Sequence, residues 1–472
     1  MDEIRTDICV IGAGSGGLSV AAGAAQMGAR VVLLEGHRMG GDCLNYGCVP
    51  SKALLAAGKA AQAHRGGADF GITPHEPQID YAAAMAHVAR TIAAIAPHDS
   101  VERFEGLGVR VISEYGRFDS ASSVVAGPHR ITARRFVIAT GSSPLVPPIP
   151  GLDGVPYLTN ETLFDLRTRP EHLLIIGGGP IGLEMAQAHR RLGCAVTVLE
   201  GARALGRDDP EAAALVLARL RAEGVAIVEG VEVARVGGQA GAITVTLADG
   251  AEHAGSHLLV AVGRQPNLEQ LNPDAAGIVH SRAGVTVDAR LRTSNRRVLA
   301  IGDVAGQGQF THLAGYHAGV VIRSMLFALP ARARADHIPR VTYTDPELAQ
   351  AGLTEAEART AHGDRLQVIR LGYDATDRAQ AEGRTEGFIK LMVVKGRPVG
   401  VTLAGAGAGE LIALWAMMLA NRIKLGALAG TVLPYPTLNE LSKRAAGAYF
   451  SPKLFDNPVV KRVVGLVQRL VP

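Results

Sequence analysis

Apolar residues in this chain fall in short continuous runs, and the runs come in matched pairs. Residues 8–11 form one run, followed by the turn Gly12-Ala13-Gly14-Ser15-Gly16-Gly17 and an Ala-rich stretch. A second run, residues 31–34, ends at Glu35. Runs this short with no polar alternation read as strands buried on both faces, the mark of a parallel sheet covered by helices. The pattern then repeats. Residues 173–176 lead into Gly177-Gly178-Gly179-Pro180-Ile181-Gly182, and residues 196–199 end at Glu200. In both copies the carboxylate lies 23 positions after the first glycine. Further along, residues 390–394 and 399–403 flank Lys395-Gly396-Arg397-Pro398 and predict a hairpin.

A lone G-x-G-x-x-G says little, but strand, glycine turn, helix, strand and terminal acid in that order have one physical use. The glycines (Gly12, Gly14, Gly17 and Gly177, Gly179, Gly182) let a pyrophosphate approach the backbone at a helix N-terminus. Glu35 and Glu200 then take the ribose hydroxyls. Two dinucleotides are expected.

Cys43-Leu44-Asn45-Tyr46-Gly47-Cys48, followed by Val49-Pro50-Ser51-Lys52, tells the two apart. On an ideal helix residues five apart point roughly 140° away from each other. A redox-active disulfide here needs a distorted first turn, and Gly40, Gly41 and Gly47 supply the freedom for one. A thiolate at a helix N-terminus also has a lowered pKa. The alternatives are a structural disulfide or half of a zinc site, and the sequence has no second close cysteine pair to complete the latter. Because the pair follows the first fingerprint, the first nucleotide is expected to be FAD, the carrier that exchanges electrons with sulfur. The second is then NAD or NADP.

The bulk properties narrow the remaining classes. The chain has 472 residues, long enough for three domains, and is 47% hydrophobic and 19% charged. A net charge of +4 with dispersed basic residues gives no reason to expect nucleic acid. The start is acidic and runs directly into a strand, unlike a signal peptide, and the apolar run 411–420 is too short to span a bilayer. Four cysteines in a chain of this size point to a reducing, cytoplasmic setting in which a disulfide is catalytic. Cys9 and Cys194 fall in or beside expected strands and should pack as small hydrophobes. No metal site is expected.

With these motifs in order, the chain resembles the pyridine nucleotide–disulfide oxidoreductases, the flavoprotein family of lipoamide dehydrogenase, glutathione reductase and mercuric reductase. The resemblance covers nearly the whole length. It runs through Ala139-Thr140-Gly141, Glu184 after the second fingerprint, Gly263-Arg264-Gln265-Pro266-Asn267 and Ile301-Gly302-Asp303-Val304. It implies an α/β fold with two Rossmann-like domains and a C-terminal α+β dimerisation domain. The expected FAD domain covers 1–150 and 271–335, the NAD(P) domain 151–270, and the dimerisation domain 336–472. It further implies a homodimer whose active sites are shared between chains. Cys43 would exchange with substrate, Cys48 would lie next to the flavin, and Lys52 would pair with Glu184. Asp303 would bind the ribityl chain of FAD, and Thr140, Gly141, Gly263, Arg264 and Gly302 would also bind cofactor. Glu200 favours NADH, because a carboxylate repels a 2′-phosphate, although Arg203 and Arg207 follow closely.

One departure stands out. Where the disulfide reductases carry His-Pro-Thr and a glutamate, this chain reads Tyr435-Pro436-Thr437-Leu438-Asn439-Glu440. A phenol with a pKa of about 10 is a poor base near neutrality, whereas an imidazole near 6.5 is a good one. Tyr435 either donates a proton or hydrogen bond to a leaving thiolate or only lines the cleft. The tyrosine fits the mercuric-reductase branch, yet no cysteine follows Cys194, so that branch's C-terminal cysteine pair is missing. The small-molecule electron acceptor therefore stays open between a disulfide, a thiophilic metal ion and a quinone. The basic, valine-rich segment 453–470 is expected to pack on the dimer rather than touch a membrane. His312 and His317 are expected on a helix near the flavin, not on a metal.

Overall fold

The computed structural model describes residues 1–471 and divides into two compact units. The first comprises 1–67, 73–202 and 224–334, and the second 68–72, 203–223 and 335–472.

Two nucleotide-type sheets lie in the first unit. In the larger, Asp2–Ile11 is central, pairing in parallel with Val31–Leu34 on one side and His129–Ile138 on the other. Val109–Ile112 extends one edge in parallel, and the antiparallel strands Ser123–Ala126 and Arg117–Ser120 extend the other. Val298–Ala300, from much later in the chain, also joins His129–Ile138 in parallel. The continuous apolar run has its expected cause. Cys9 and Ile11 face one buried core while Ile8 and Val10 face another, so water reaches neither side. The second sheet is wholly parallel, in the order Ala226–Glu229, Ala195–Glu200, His172–Ile176, His257–Val260, Tyr157–Leu158. Cys9 and Cys194 are fully buried, as their apolar neighbours require.

A short ribbon crosses the proline-rich stretch between the two fingerprints. Ser142–Pro144 pairs antiparallel with Arg264–Pro266, which brings two distant motifs side by side.

The second unit is built on a five-stranded antiparallel sheet: Arg340–Thr342, Glu347–Gly352, Arg397–Gly405, Gly387–Val394, Leu366–Gly372. The expected hairpin is present with a tighter turn than the proline suggests. Only Lys395 and Gly396 form it, both with positive φ, and Arg397 and Pro398 already belong to the returning strand. The helix Ala408–Ala420 buries Leu411, Ile412, Trp415, Met418 and Leu419, and the Trp415 indole donates to Ser442 Oγ at 3.1 Å. The helix Pro210–Ala222 belongs to this unit although strands of the second nucleotide sheet flank it in sequence. Asp209 at its N-cap and Glu211 both reach the buried Lys390 ammonium, at 2.8 and 3.1 Å, and hold the helix to the sheet. The chain ends in the helix Pro458–Leu470, in which no residue is buried. Among the described residues, no helix is long and apolar enough to cross a membrane.

Candidate active site

The two glycine turns share one internal logic. A Cβ on Gly12 would meet Ala139 O at 2.4 Å, and one on Gly177 would meet Ala261 O at 2.4 Å. Cβ atoms on Gly17 and Gly182 would strike the carbonyls of Gly12 and Gly177 at 1.9 and 2.0 Å. These four glycines are required by the protein's own packing. The middle glycines are not, since a Cβ on Gly14 or Gly179 meets nothing within 4 Å. Both open the helix that follows with ordinary extended backbone, so neither strain nor packing demands glycine there. Space reserved above a helix N-terminus fits an incoming pyrophosphate, so the residues present fit FAD at the first turn and NAD(P) at the second.

The acids complete the symmetry. Glu35 accepts from Ala13 N at 2.7 Å and His37 N at 2.8 Å, and Glu200 accepts from Gly178 N at 2.6 Å and Ala202 N at 2.8 Å. Each carboxylate fixes its own turn and keeps lone pairs free for hydroxyl donors.

The cysteine segment is broken as the spacing demands. Gly40 and Gly41 are left-handed, a five-residue helix Gly41–Asn45 carries Cys43, and a new helix, Cys48–Arg65, starts at Cys48 after Tyr46 and Gly47. Both residues are thiols here, close enough to hydrogen-bond to each other. Cys48 Sγ also lies 3.2 Å from Thr311 Oγ1, the first residue of the helix Thr311–Phe327. Donation from Cys43 is the main cause that pulls the Cys48 thiol down to about 6; the Thr311 hydroxyl and the Lys52 charge add to it, while burial and Asp42 oppose it. The same contact, with burial, pushes Cys43 far upward. The contact thus favours the proton on Cys43 and negative charge on Cys48. Lys52 Nζ lies 2.8 Å from Glu184 Oε2, with the glutamate buried and the lysine partly open. Gly58, on the same helix as Lys52, lets that helix approach Ala188 closely enough for the pair to meet.

Around the cysteines the structure joins Arg264 and Asp303 to three residues that sequence reasoning missed, Asp42, Ser142 and Asn160. Arg264 donates to Ser142 Oγ at 2.8 Å and to Ser142 O at 2.6 Å, and pairs with Asp42 at 2.9 Å. Ser142 in turn donates to Asp303 at 2.6 Å, and burial raises that carboxyl despite the bond. Asn160 donates to Asp42 at 3.0 Å. Arg264, expected to bind cofactor, has its guanidinium tied to Asp42, the residue before Cys43, and to its ribbon partner Ser142. The reason is the antiparallel ribbon, which places Ser142 opposite Pro266 and within reach of Arg264. Thr140 likewise spends its hydroxyl on Asn267 O at 2.8 Å, and Asn267 returns a bond to Thr140 O at 2.9 Å. Gly141 and Gly263 have positive φ and open space around them. Gly302 N donates to Nδ1 of the buried His317, which burial holds down to about 4, so that this ring stays neutral and fixes the Asp303 turn.

In the second unit, Tyr435 is exposed and its hydroxyl donates to Asp377 Oδ2 at 2.7 Å. That bond raises the phenol above its ordinary value. Asp377, not Glu440, thus orients Tyr435. Glu440 Oε1 lies 4.0 Å from Arg444, and its other oxygen is buried without a hydrogen-bond partner.

Parallel sheets, duplicated nucleotide turns and a thiolate–thiol pair together define a flavin-dependent disulfide oxidoreductase. The chain belongs to the pyridine nucleotide-disulphide oxidoreductase family, whose profile matches residues 6–318, with the family's dimerisation domain matching 338–446. It is an oxidoreductase that uses FAD and NAD(P)H. Among curated relatives, it is 35% identical to mercuric reductase from Shigella flexneri, over 94% of this chain and 80% of the relative. Mercuric reductase from Streptomyces lividans is 34% identical, over 94% and 96%. Among solved structures, the Cu(II) complex of the HOCl-induced flavoprotein disulfide reductase RclA from Escherichia coli superposes with a TM-score of 0.82 at 30% identity, covering 92% of this chain and 98% of that one. LpdA from Mycobacterium tuberculosis gives 0.87 at 27% identity, covering 94% and 99%.

Proposed function

We propose that the protein is an NAD(P)H-dependent reductase that delivers two electrons through Cys43 and Cys48 to a small disulfide. The observation that carries this reading is the split of the pair, with Cys48 a thiolate beside Thr311 and Lys52 and Cys43 protonated and half-buried. Bound FAD would supply the link between the two-electron hydride of NAD(P)H and sulfur. Cys48 would face that carrier, held as thiolate by the Cys43 and Thr311 donors. Lys52, paired with Glu184, would favour negative charge developing beside it. Cys43 would pass its proton to the Cys48 thiolate and attack the substrate disulfide, and the first thiolate released takes that proton. Cys48 then attacks Cys43 in the mixed disulfide, releasing the second thiol, protonated from solvent, and closing the Cys43–Cys48 disulfide. The overall change is NAD(P)H, a proton and a disulfide going to NAD(P)⁺ and two thiols. Tyr435 and Glu440 would act from the partner chain in a shared site, and Glu200 would favour NADH over NADPH.

Tyr435 supports a second reading, a reductase of a thiophilic metal ion, the two electrons of the dithiol taking one Hg(II) to Hg(0) or two Cu(II) to Cu(I). Its hydroxyl is already committed to Asp377, which leaves no acid–base group of neutral pKa at that motif for exchange between thiols. A soft metal ion bound by two sulfurs needs no such group. The relatives named for mercury, and the copper complex of RclA, agree in kind. Turnover of the purified holoenzyme decides between the two. Steady NADH consumption with low-molecular-weight disulfides, abolished by Cys43→Ser, supports the first reading. Consumption only with Hg(II) or Cu(II) supports the second, and turnover that survives Cys43→Ser defeats both. Comparing specificity constants for NADH and NADPH tests Glu200, and a preference for NADPH rules it out as the selector.

A further inference from the structure

The last helix, Pro458–Leu470, has no buried residue, although half of it is apolar. At 100° per residue, Val459, Val463, Leu466, Val467 and Leu470 share one face, and Val460 and Val464 widen it. Lys461, Arg462, Gln468 and Arg469 occupy the opposite arc, and no acidic residue follows Asp456. Leu454 and Phe455, just before the helix, are exposed as well, and Lys453 lies over the Tyr449 ring. The segment is outside the established interface domain, whose family match ends at residue 446. A valine-rich helix of thirteen residues is marginal in water on its own, so an apolar surface is needed to stabilise it.

We propose that this helix docks on an anionic lipid surface, lying in the plane of the interface. Charge complementarity selects this occupant. The apolar face would sink to the boundary between headgroups and acyl chains, while Lys461, Arg462 and Arg469 stay level with lipid phosphates. A second copy of the helix would cover the apolar face equally well, but a twofold pairing sets cationic flanks against cationic flanks with no acid to meet them. It departs from the expectation that the tail packs on the dimer. It requires no membrane-spanning segment and holds for any electron acceptor.

The test is flotation of the full-length, FAD-loaded protein with vesicles of phosphatidylcholine alone or mixed with phosphatidylglycerol. The protein should float with the anionic vesicles, at least about tenfold more tightly than with neutral ones, and raised salt should release it. Val463→Asp with Val467→Asp should abolish flotation. Arg462→Glu with Arg469→Glu should do the same while leaving the apolar face intact. Flavin content and NADH oxidation should be unchanged in both variants, which excludes misfolding. Failure of the loaded wild-type protein to float with either vesicle overturns the proposal. So does a fall in particle mass by light scattering in the aspartate variant with vesicle binding retained, which assigns the helix to contact between copies.

Discussion

The thiol pair illustrates how two hydrogen-bond donors and one charge act on one atom. Cys43, Thr311 and Lys52 all favour negative charge on Cys48, and the result is a thiol near 6 where a free one titrates at about 8.5. In the reduced protein, alkylation of Cys48 should follow a single proton loss with a midpoint near 6 and fall away below it, as mass spectrometry of iodoacetamide-treated samples over a pH series will show. Cys43→Ser keeps a hydroxyl donor and should hold that midpoint low, whereas Cys43→Ala should move it up. Tyr435→His, placed five residues before Glu440, should raise oxidation of dihydrolipoamide near neutrality by about 10²-fold or more if the missing base limits it. Tyr435→Phe is the control, because it removes the bond to Asp377 and adds no base. Local motif spacing made Cys43, Cys48, Glu35 and Glu200 legible. Thr311 and Asp377 were not, because they reach their partners across 263 and 58 positions of chain and carry no motif of their own.

At the scale of elements, continuous apolar runs gave the parallel strands directly, since burial on both faces leaves no polar alternation. The break between the two cysteine helices was legible too, from the glycines around it. What escaped was the ribbon Ser142–Pro144 with Arg264–Pro266, because prolines on both strands disguise a pairing as a linker. That ribbon sets Arg264 against Asp42 and Ser142, beside the cysteine segment. The glycine turns yield a sharp contrast. Gly14→Ala should fold normally yet lose most of its FAD, since the added methyl fills only the space kept for the ligand. Gly179→Ala should retain FAD and raise KM for the nicotinamide nucleotide. Gly17→Ala should fail earlier, as insoluble or unfolded protein, because its Cβ meets a carbonyl at 1.9 Å. Flavin absorbance per chain together with thermal melting separates the three.

At the scale of the whole molecule, the sequence marked out the C-terminal unit by resemblance more than by pattern, and the helix Pro210–Ala222 shows the limit of pattern. Nothing in its periodicity says that Asp209 and Glu211 will meet Lys390, far along the chain. If Tyr435 serves the partner's cysteines, subunits carrying Cys43→Ser and subunits carrying Tyr435→Ala, each impaired alone, should complement when mixed. Random pairing puts half the molecules in heterodimers with one intact site of two, so activity should recover to about a quarter of wild type. No recovery after subunit exchange, verified by mass, would place each site within a single chain.

The unequal sharing of one proton between Cys43 and Cys48 also sets how the enzyme's reducing power responds to acidity. Above a pH of about 6 the reduced pair carries one proton for two electrons, so its midpoint potential should fall by about 30 mV per pH unit. Below that point both sulfurs are protonated, and the slope should double to about 60 mV. The hydride donor, which takes up one proton per two electrons, also moves by about 30 mV per unit, so across the neutral range the driving force between donor and dithiol stays level. Acidification would then tilt the balance toward a reduced pair, and redox titration at several pH values will show the bend.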